Sequence, residues 1–152
     1  MKLSSFTDRR YIDLDLPGGA KADVIAAMVR LLGSSRQIRD ADGFLRDVLA
    51  REELVTTGVG YGVAFPHAKS DAASGVVFAF GRTAEGVDFG SLDGEPVRLV
   101  FLIGAPRVQE PSRVYLNLMA RLSFLMKDEG NRRRLLSTGS VDEVLSLFDS
   151  VK

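Results

Sequence analysis

The pattern of apolar and polar positions divides the chain into a helical beginning, a strand-rich middle and a helical end. From Ala20 to Leu32, apolar Val24, Ala27, Met28, Leu31 and Leu32 recur at three-and-four spacing, which predicts an amphipathic helix with Gly33 as its C-terminal cap. A second helix is predicted from about Asp42 to Glu53, capped by Asp40 or Asp42, with Phe44, Leu45, Val48 and Leu49 turned inward. Ser34 to Arg39 joins the two.

After Leu54 the period changes. VTTGVGYG reads as a glycine-punctuated loop, and VAF, GVVFAFG and PVRLVFLIG read as strands rich in valine and phenylalanine. The apolar run Leu99 to Ile103 predicts a strand covered on both faces, and TAEGVDFGSLDGE a turn-rich connection before it. Pro111 is the predicted start of a long helix reaching about Lys127, with Val114, Leu118, Arg121, Leu122 and Leu125 along one side and Gly130 beyond its end. Two shorter helices follow, the last opening on a capping box of Ser140 and Glu143 ahead of Val144, Leu145, Leu147 and Phe148. Helices on both sides of a strand-rich middle imply a mixed α/β fold. The expectation is a three-layer α-β-α sandwich around a central mixed sheet of about four to five strands, in a single domain over residues 1–152.

Composition narrows the chemistry. A hydrophobic fraction of 45% and a charged fraction of 26% are those of an ordinary globular protein. Twenty Lys and Arg balance twenty Asp and Glu, so no net field draws the chain to nucleic acid or an anionic membrane. With no cysteine and one histidine, disulfides, thiolate nucleophiles and multi-histidine metal sites are excluded, and neither a metal nor a cofactor is expected. The N-terminus carries acidic residues where a signal peptide needs an apolar core, and no apolar run reaches the roughly 20 residues that span a bilayer. A cytoplasmic chain with no direct membrane insertion is therefore expected.

The single histidine, His67, stands in GVGYGVAFPHAKSD, at the end of what reads as a strand. The loop before it follows a helix and opens into a strand, which does not fit a dinucleotide-binding GxGxxG. Gly58, Gly60 and Gly62 either permit positive backbone dihedrals in a tight crossover or leave a shallow surface where a partner approaches the histidine. His67 itself is either a half-buried histidine with one satisfied ring nitrogen, or a general base, or a nucleophile toward phosphorus; no GxSxG elbow supplies a triad. A phosphoryl acceptor needs a neutral nitrogen facing the donor, the other nitrogen held, and cations or hydroxyls for the phosphate oxygens. Arg51 offers a bidentate fork, Thr56 and Thr57 offer hydroxyls, and Lys69 lies two residues past the histidine. Against these roles stand solvated charges for Arg51 and Lys69, and capping or turn duties for the threonines.

The stretch LAREELVTTGVGYGVAFPHAKSD resembles the fructose/mannitol-type enzyme IIA domain of the bacterial phosphotransferase system, with its Arg-Glu pair, Ser/Thr-Thr-Gly turn, alternating glycines and Pro-His. The likeness extends through VDFGSLDGEPVRLVFLIGAP and YLNLMARLSFLMKD to the final VDEVLSLF, and is greatest toward the nitrogen-regulatory branch. The resemblance implies that His67 receives phosphate from the phosphohistidine of the carrier HPr and that Arg51 lies beside the phosphoryl group. Family members often have a second active-site histidine at the start of the long helix, one residue before a leucine, and that place is Tyr115 here. Tyr61 occupies the position six before the histidine, often Asn or an acid in the family. Three roles follow: a regulator controlled by phosphorylation of His67, a sugar-specific component passing phosphate to an enzyme IIB, or a degenerate module that binds without being phosphorylated. A free-standing chain with no IIB-like cysteine loop favours the regulator.

Overall fold

The computed structural model describes residues 2–107 and 113–151. The strands are β1 (Ile12–Leu16), β2 (Gly58–Gly60), β3 (Val63–Ala64), β4 (His67–Ser70), β5 (Val77–Val87) and β6 (Val97–Pro106). The helices are α1 (Lys21–Leu31), α2 (Ala41–Leu54), α3 (Val114–Lys127), α4 (Glu129–Ser137) and α5 (Val141–Asp149).

All six strands join one mixed sheet of order β1-β5-β6-β3-β2, with β4 also paired to β6. That exceeds the expected four to five strands, for three reasons, the first being that Gly58–Gly60, within the stretch read as a glycine-punctuated loop, pairs antiparallel with β3 as β2. β1 is the stretch IDLDL, whose aspartates mask an edge strand lying parallel to β5. The apolar run ending in Pro-His is two strands rather than one. Val63 pairs with Leu99 in β3 and His67 pairs with Ile103 in β4, the same offset, so a single line of pairing along β6 is interrupted at Phe65-Pro66. Proline has no N–H for a ladder, which makes that interruption local. His67 consequently begins a strand instead of ending one.

The sheet is covered on both faces. Val77, Ala79, Val100 and Leu102 face α1 and α2, whereas Phe78, Phe80, Phe101 and Ile103 pack with Leu118, Leu122, Val144 and Phe148 of α3 and α5. Both clusters draw on alternate residues of the same two strands, which is why Leu99 to Ile103 reads as a continuous apolar run. Phe80 and Phe101 meet at 4.9 Å between ring centroids, and Phe148 sits edge-on to Phe80 at 5.9 Å. The three-layer arrangement expected from sequence is thus present.

Helix ends agree in part. The Asp40 carboxylate accepts from the Gly43 N–H at 3.1 Å and caps α2, and the Ser140 hydroxyl accepts from the Glu143 N–H at 3.2 Å and caps α5. Gly33 is not a left-handed cap: α1 ends at Leu31 and runs into a 3-10 turn, Leu32–Ser34, that contains the glycine. Pro111, the expected start of α3, lies outside the described residues. Among the described residues no helix is long and apolar enough to cross a membrane.

Candidate active site

His67 opens β4, and its neighbours two residues either side set its chemistry. The ring Nδ1 lies 2.7 Å from the Phe65 carbonyl oxygen. A carbonyl can only accept, so Nδ1 carries the hydrogen and the ring's remaining lone pair is on Nε2. Burial pushes the imidazole below its ordinary value of 6.5; the Phe65 carbonyl pulls back, the Arg51 charge pushes further down, and Glu52 opposes it. The ring is therefore neutral at pH 7, and Nε2 is nucleophilic.

A cavity of about 360 Å³ is lined by Asp47, Arg51, His67, Ala68, Lys69 and Tyr115. Three elements build it. Asp47 and Arg51 are one turn apart on α2, which puts them on one face of the helix. His67 and Lys69 alternate along β4 and so project to one side of the sheet. Tyr115 is the second residue of α3 and brings that helix's first turn to the cavity. Its ring centroid lies 6.3 Å from that of His67, and the Lys69 ammonium lies 5.4 Å above the tyrosine ring. Burial holds the Tyr115 hydroxyl protonated, its pKa pushed up to about 12 although the Arg51 charge works against this. One Arg51 guanidinium nitrogen donates to the Val55 carbonyl at 3.0 Å, fixing the side chain at the end of α2. Arg51, Lys69 and Tyr115, all predicted site residues, are thus gathered around His67.

Thr56, Thr57 and Tyr61 do not join them. The Thr56 hydroxyl donates to the Phe89 carbonyl and accepts from the Gly58 N–H at 3.0 Å. The Thr57 N–H and hydroxyl both donate to the buried Glu52 carboxylate, which also pairs with Lys21 at 2.8 Å. These hydroxyls hold the α2–β2 loop. Tyr61 lines a separate cavity with Val59, Phe65 and Met126, under the Arg132 guanidinium at 4.5 Å. Its φ of 59°, with +103° at Gly60 and +75° at Gly62, makes the glycine-rich stretch a tight turn. At Gly58 a Cβ would come within 2.2 Å of the Ser91 hydroxyl. The glycines therefore serve the crossover, the first of the two readings.

With this geometry, the family model described as the phosphoenolpyruvate-dependent sugar phosphotransferase system, EIIA 2, matches residues 5–151. The chain belongs to this family. It is 34% identical over 149 residues to the fructose-specific EIIA component of Haloferax volcanii, covering 98% of this chain and 96% of that protein. It is also 34% identical to the fructose-specific EIIABC component of Bacillus subtilis, but spans only 23% of that protein's length. Among solved structures, the nitrogen regulatory protein IIA-Ntr from Neisseria meningitidis superposes with a TM-score of 0.86 at 28% identity, over 96% of this chain and 98% of that one. The mannitol enzyme IIA of Escherichia coli, solved in complex with phosphorylated mannitol enzyme IIB, superposes with a TM-score of 0.79 at 26% identity, over 93% of this chain and 95% of that one. Both fructose/mannitol and nitrogen-regulatory EIIA proteins are thus relatives.

Sequence reasoning missed three charged residues near the site. Asp47 has no signal beyond its place on α2, one turn before Arg51. Glu52 stands in the Arg-Glu pair that marks the family, yet nothing local shows that it is buried. Lys21 reaches it from the first turn of α1, a separation no local pattern encodes.

Proposed function

We propose that His67 accepts a phosphoryl group on Nε2 from the phosphohistidine of an HPr-type carrier, in the cytoplasm, and passes it to a partner protein. The observation that carries this reading is the Nδ1–H donated to the Phe65 carbonyl, which commits the lone pair to Nε2 in a histidine that shares a cavity with Arg51 and Lys69. The phosphorus–nitrogen bond of the donor breaks as the bond to Nε2 forms. The donor ring leaves as neutral imidazole when its other nitrogen is protonated. His67 then bears phosphorus on Nε2 and hydrogen on Nδ1, a cation that the Phe65 carbonyl supports. Arg51 and Lys69 offset the phosphoryl charge, and the Tyr115 hydroxyl, protonated at any working pH, is a neutral group on the cavity wall. Thr56, Thr57 and Tyr61 act at a distance, through the loop and the turn.

Two destinations for the phosphate each have support. The fold's likeness to IIA-Ntr favours a regulator whose docking face changes charge when His67 is phosphorylated. The near full-length likeness to a fructose-specific EIIA component, and to an enzyme IIA seen with phosphorylated enzyme IIB, favours delivery to a IIB domain. Incubation with phospho-HPr should add one acid-labile, base-stable phosphoryl group, and His67→Ala should add none. Subsequent chase with an enzyme IIB domain separates the destinations: loss of label from the chain supports sugar transport, retention supports regulation. Label on the His67→Ala variant would remove the assignment.

A further inference from the structure

We propose that Arg107 is a third phosphate-binding cation beside the His67 cavity, after Arg51 and Lys69, held on Asp47 until the phosphoryl group arrives; this rests on the phosphoryl-acceptor reading of His67. Asp47 is the one carboxylate among the described residues lining that cavity. A dianionic phosphoryl group beside a carboxylate is disfavoured by like charge, so the cavity needs a hydrogen bond kept on that carboxylate and a cation free to face the phosphate. The Ser70 hydroxyl donates to Asp47 Oδ2, and Arg107 Nη2 stands 3.6 Å from the same oxygen. Arg107 Nε in turn lies 3.4 Å from Asp71.

Backbone pairing sets this placement. Ser70 is in register with Pro106, so Arg107 leaves β6 directly beside the end of β4, two residues along from the Lys69–Ala105 pair. The guanidinium is therefore brought to Asp47, at the wall of the cavity, by the same strand pair that positions His67.

Its contacts are loose. Both distances exceed that of a good charge-assisted hydrogen bond, and the Arg107 side chain is 58% exposed. Exposed ion pairs of this kind contribute little, whereas a guanidinium on a phosphoryl group gains two parallel charge-assisted bonds. Exchange of Asp47 for phosphate is thus downhill once His67 is phosphorylated. Arg51 is committed in part to the Val55 carbonyl, whereas the ion pairs of Arg107 are loose enough for it to move between the two states.

The test uses potassium phosphoramidate as donor, which removes protein docking from the measurement: its phosphorus–nitrogen bond breaks, ammonia leaves with the electron pair, and Nε2 takes the phosphorus. Phosphohistidine formation and lifetime are followed by intact mass in the full chain and in Arg107→Ala, Arg107→Lys, Asp47→Asn and the Asp47→Asn/Arg107→Ala double variant. Arg107→Ala should shorten the lifetime or slow uptake by about tenfold with unchanged melting, as expected for one lost charge-assisted group. Arg107→Lys should recover part of the loss. Asp47→Asn should speed uptake, and Arg107→Ala should remain harmful in that background. If Arg107→Ala matches the parent, or has no effect once Asp47 is neutral, Arg107 does not touch phosphate and the proposal fails. If the parent chain itself takes no label on His67, the phosphoryl-acceptor reading fails instead.

Discussion

Glu52→Ala should be among the most damaging single changes near the site, although the residue touches no substrate. Its carboxylate is 4% exposed, accepts from the Thr57 N–H at 2.7 Å and from the Thr57 hydroxyl, and pairs with Lys21 at 2.8 Å. Truncation leaves a buried N–H without a partner and strips Lys21 of its counter-charge. Removing one partner of a buried ion pair costs about 3–5 kcal/mol. Lys21 is 27% exposed and can regain some water, so the lower end, about 3 kcal/mol, is expected. For a chain of this size that corresponds to a fall of roughly 6–12 °C in melting temperature. Glu52→Gln keeps an acceptor for the Thr57 N–H and a donor for its hydroxyl, so about half that loss is expected. Thermal and urea unfolding of both variants measure this, and phosphoryl uptake should drop in Glu52→Ala because the loosened loop follows directly on Arg51. A melting temperature for Glu52→Ala within about 2 °C of the parent would refute the clamp.

Arg51→Lys keeps the charge but loses the fork, so uptake from phospho-HPr should slow by about tenfold with melting nearly unchanged; a large stability loss would make Arg51 structural instead. Tyr115→Phe should shorten the phosphohistidine lifetime a few-fold if the hydroxyl bonds phosphate, and equal lifetimes would leave the tyrosine a packing group against His67 and Lys69. Stability should fall as pH drops below about 6.5, because the unfolded chain protonates its histidine there while the folded chain, with its value lowered by burial, does not. The contribution is complete above that value, and His67→Gln should flatten the acid limb of urea midpoints measured from pH 7 to 5.

Much of this architecture is legible in the chain because its signals are local. Asp40 and Ser140 announce helix starts through their own side chains, and Val24, Met28, Phe44 and Val48 mark the buried stripes of α1 and α2. β1 is hidden because IDLDL alternates with acids at a sheet edge, where its pairing with β5 depends on residues far along the chain. β4 is hidden because HAKS carries few apolar residues and is fixed only by its register on β6. The same distinction governs the site. His67 and Arg51 carry their chemistry in residue type and spacing. Whether Thr57 faces a phosphate or a buried carboxylate turns on Glu52 and Lys21, which meet only after α1 and α2 pack together. Tyr61 stands six residues before His67 in sequence, but the positive-φ turn sends it toward Arg132 and the end of α3.

The most direct test of the central claim is nitrogen NMR of the imidazole before and after phosphorylation, since the chain has a single histidine and its two ring nitrogens give one unambiguous pair of signals. The unphosphorylated ring should show a protonated Nδ1 held by the Phe65 carbonyl and an unprotonated Nε2 at pH 7. After incubation with phospho-HPr the phosphorus coupling should fall on Nε2. Coupling on Nδ1, or an unchanged imidazole despite incorporated phosphate, would contradict the account.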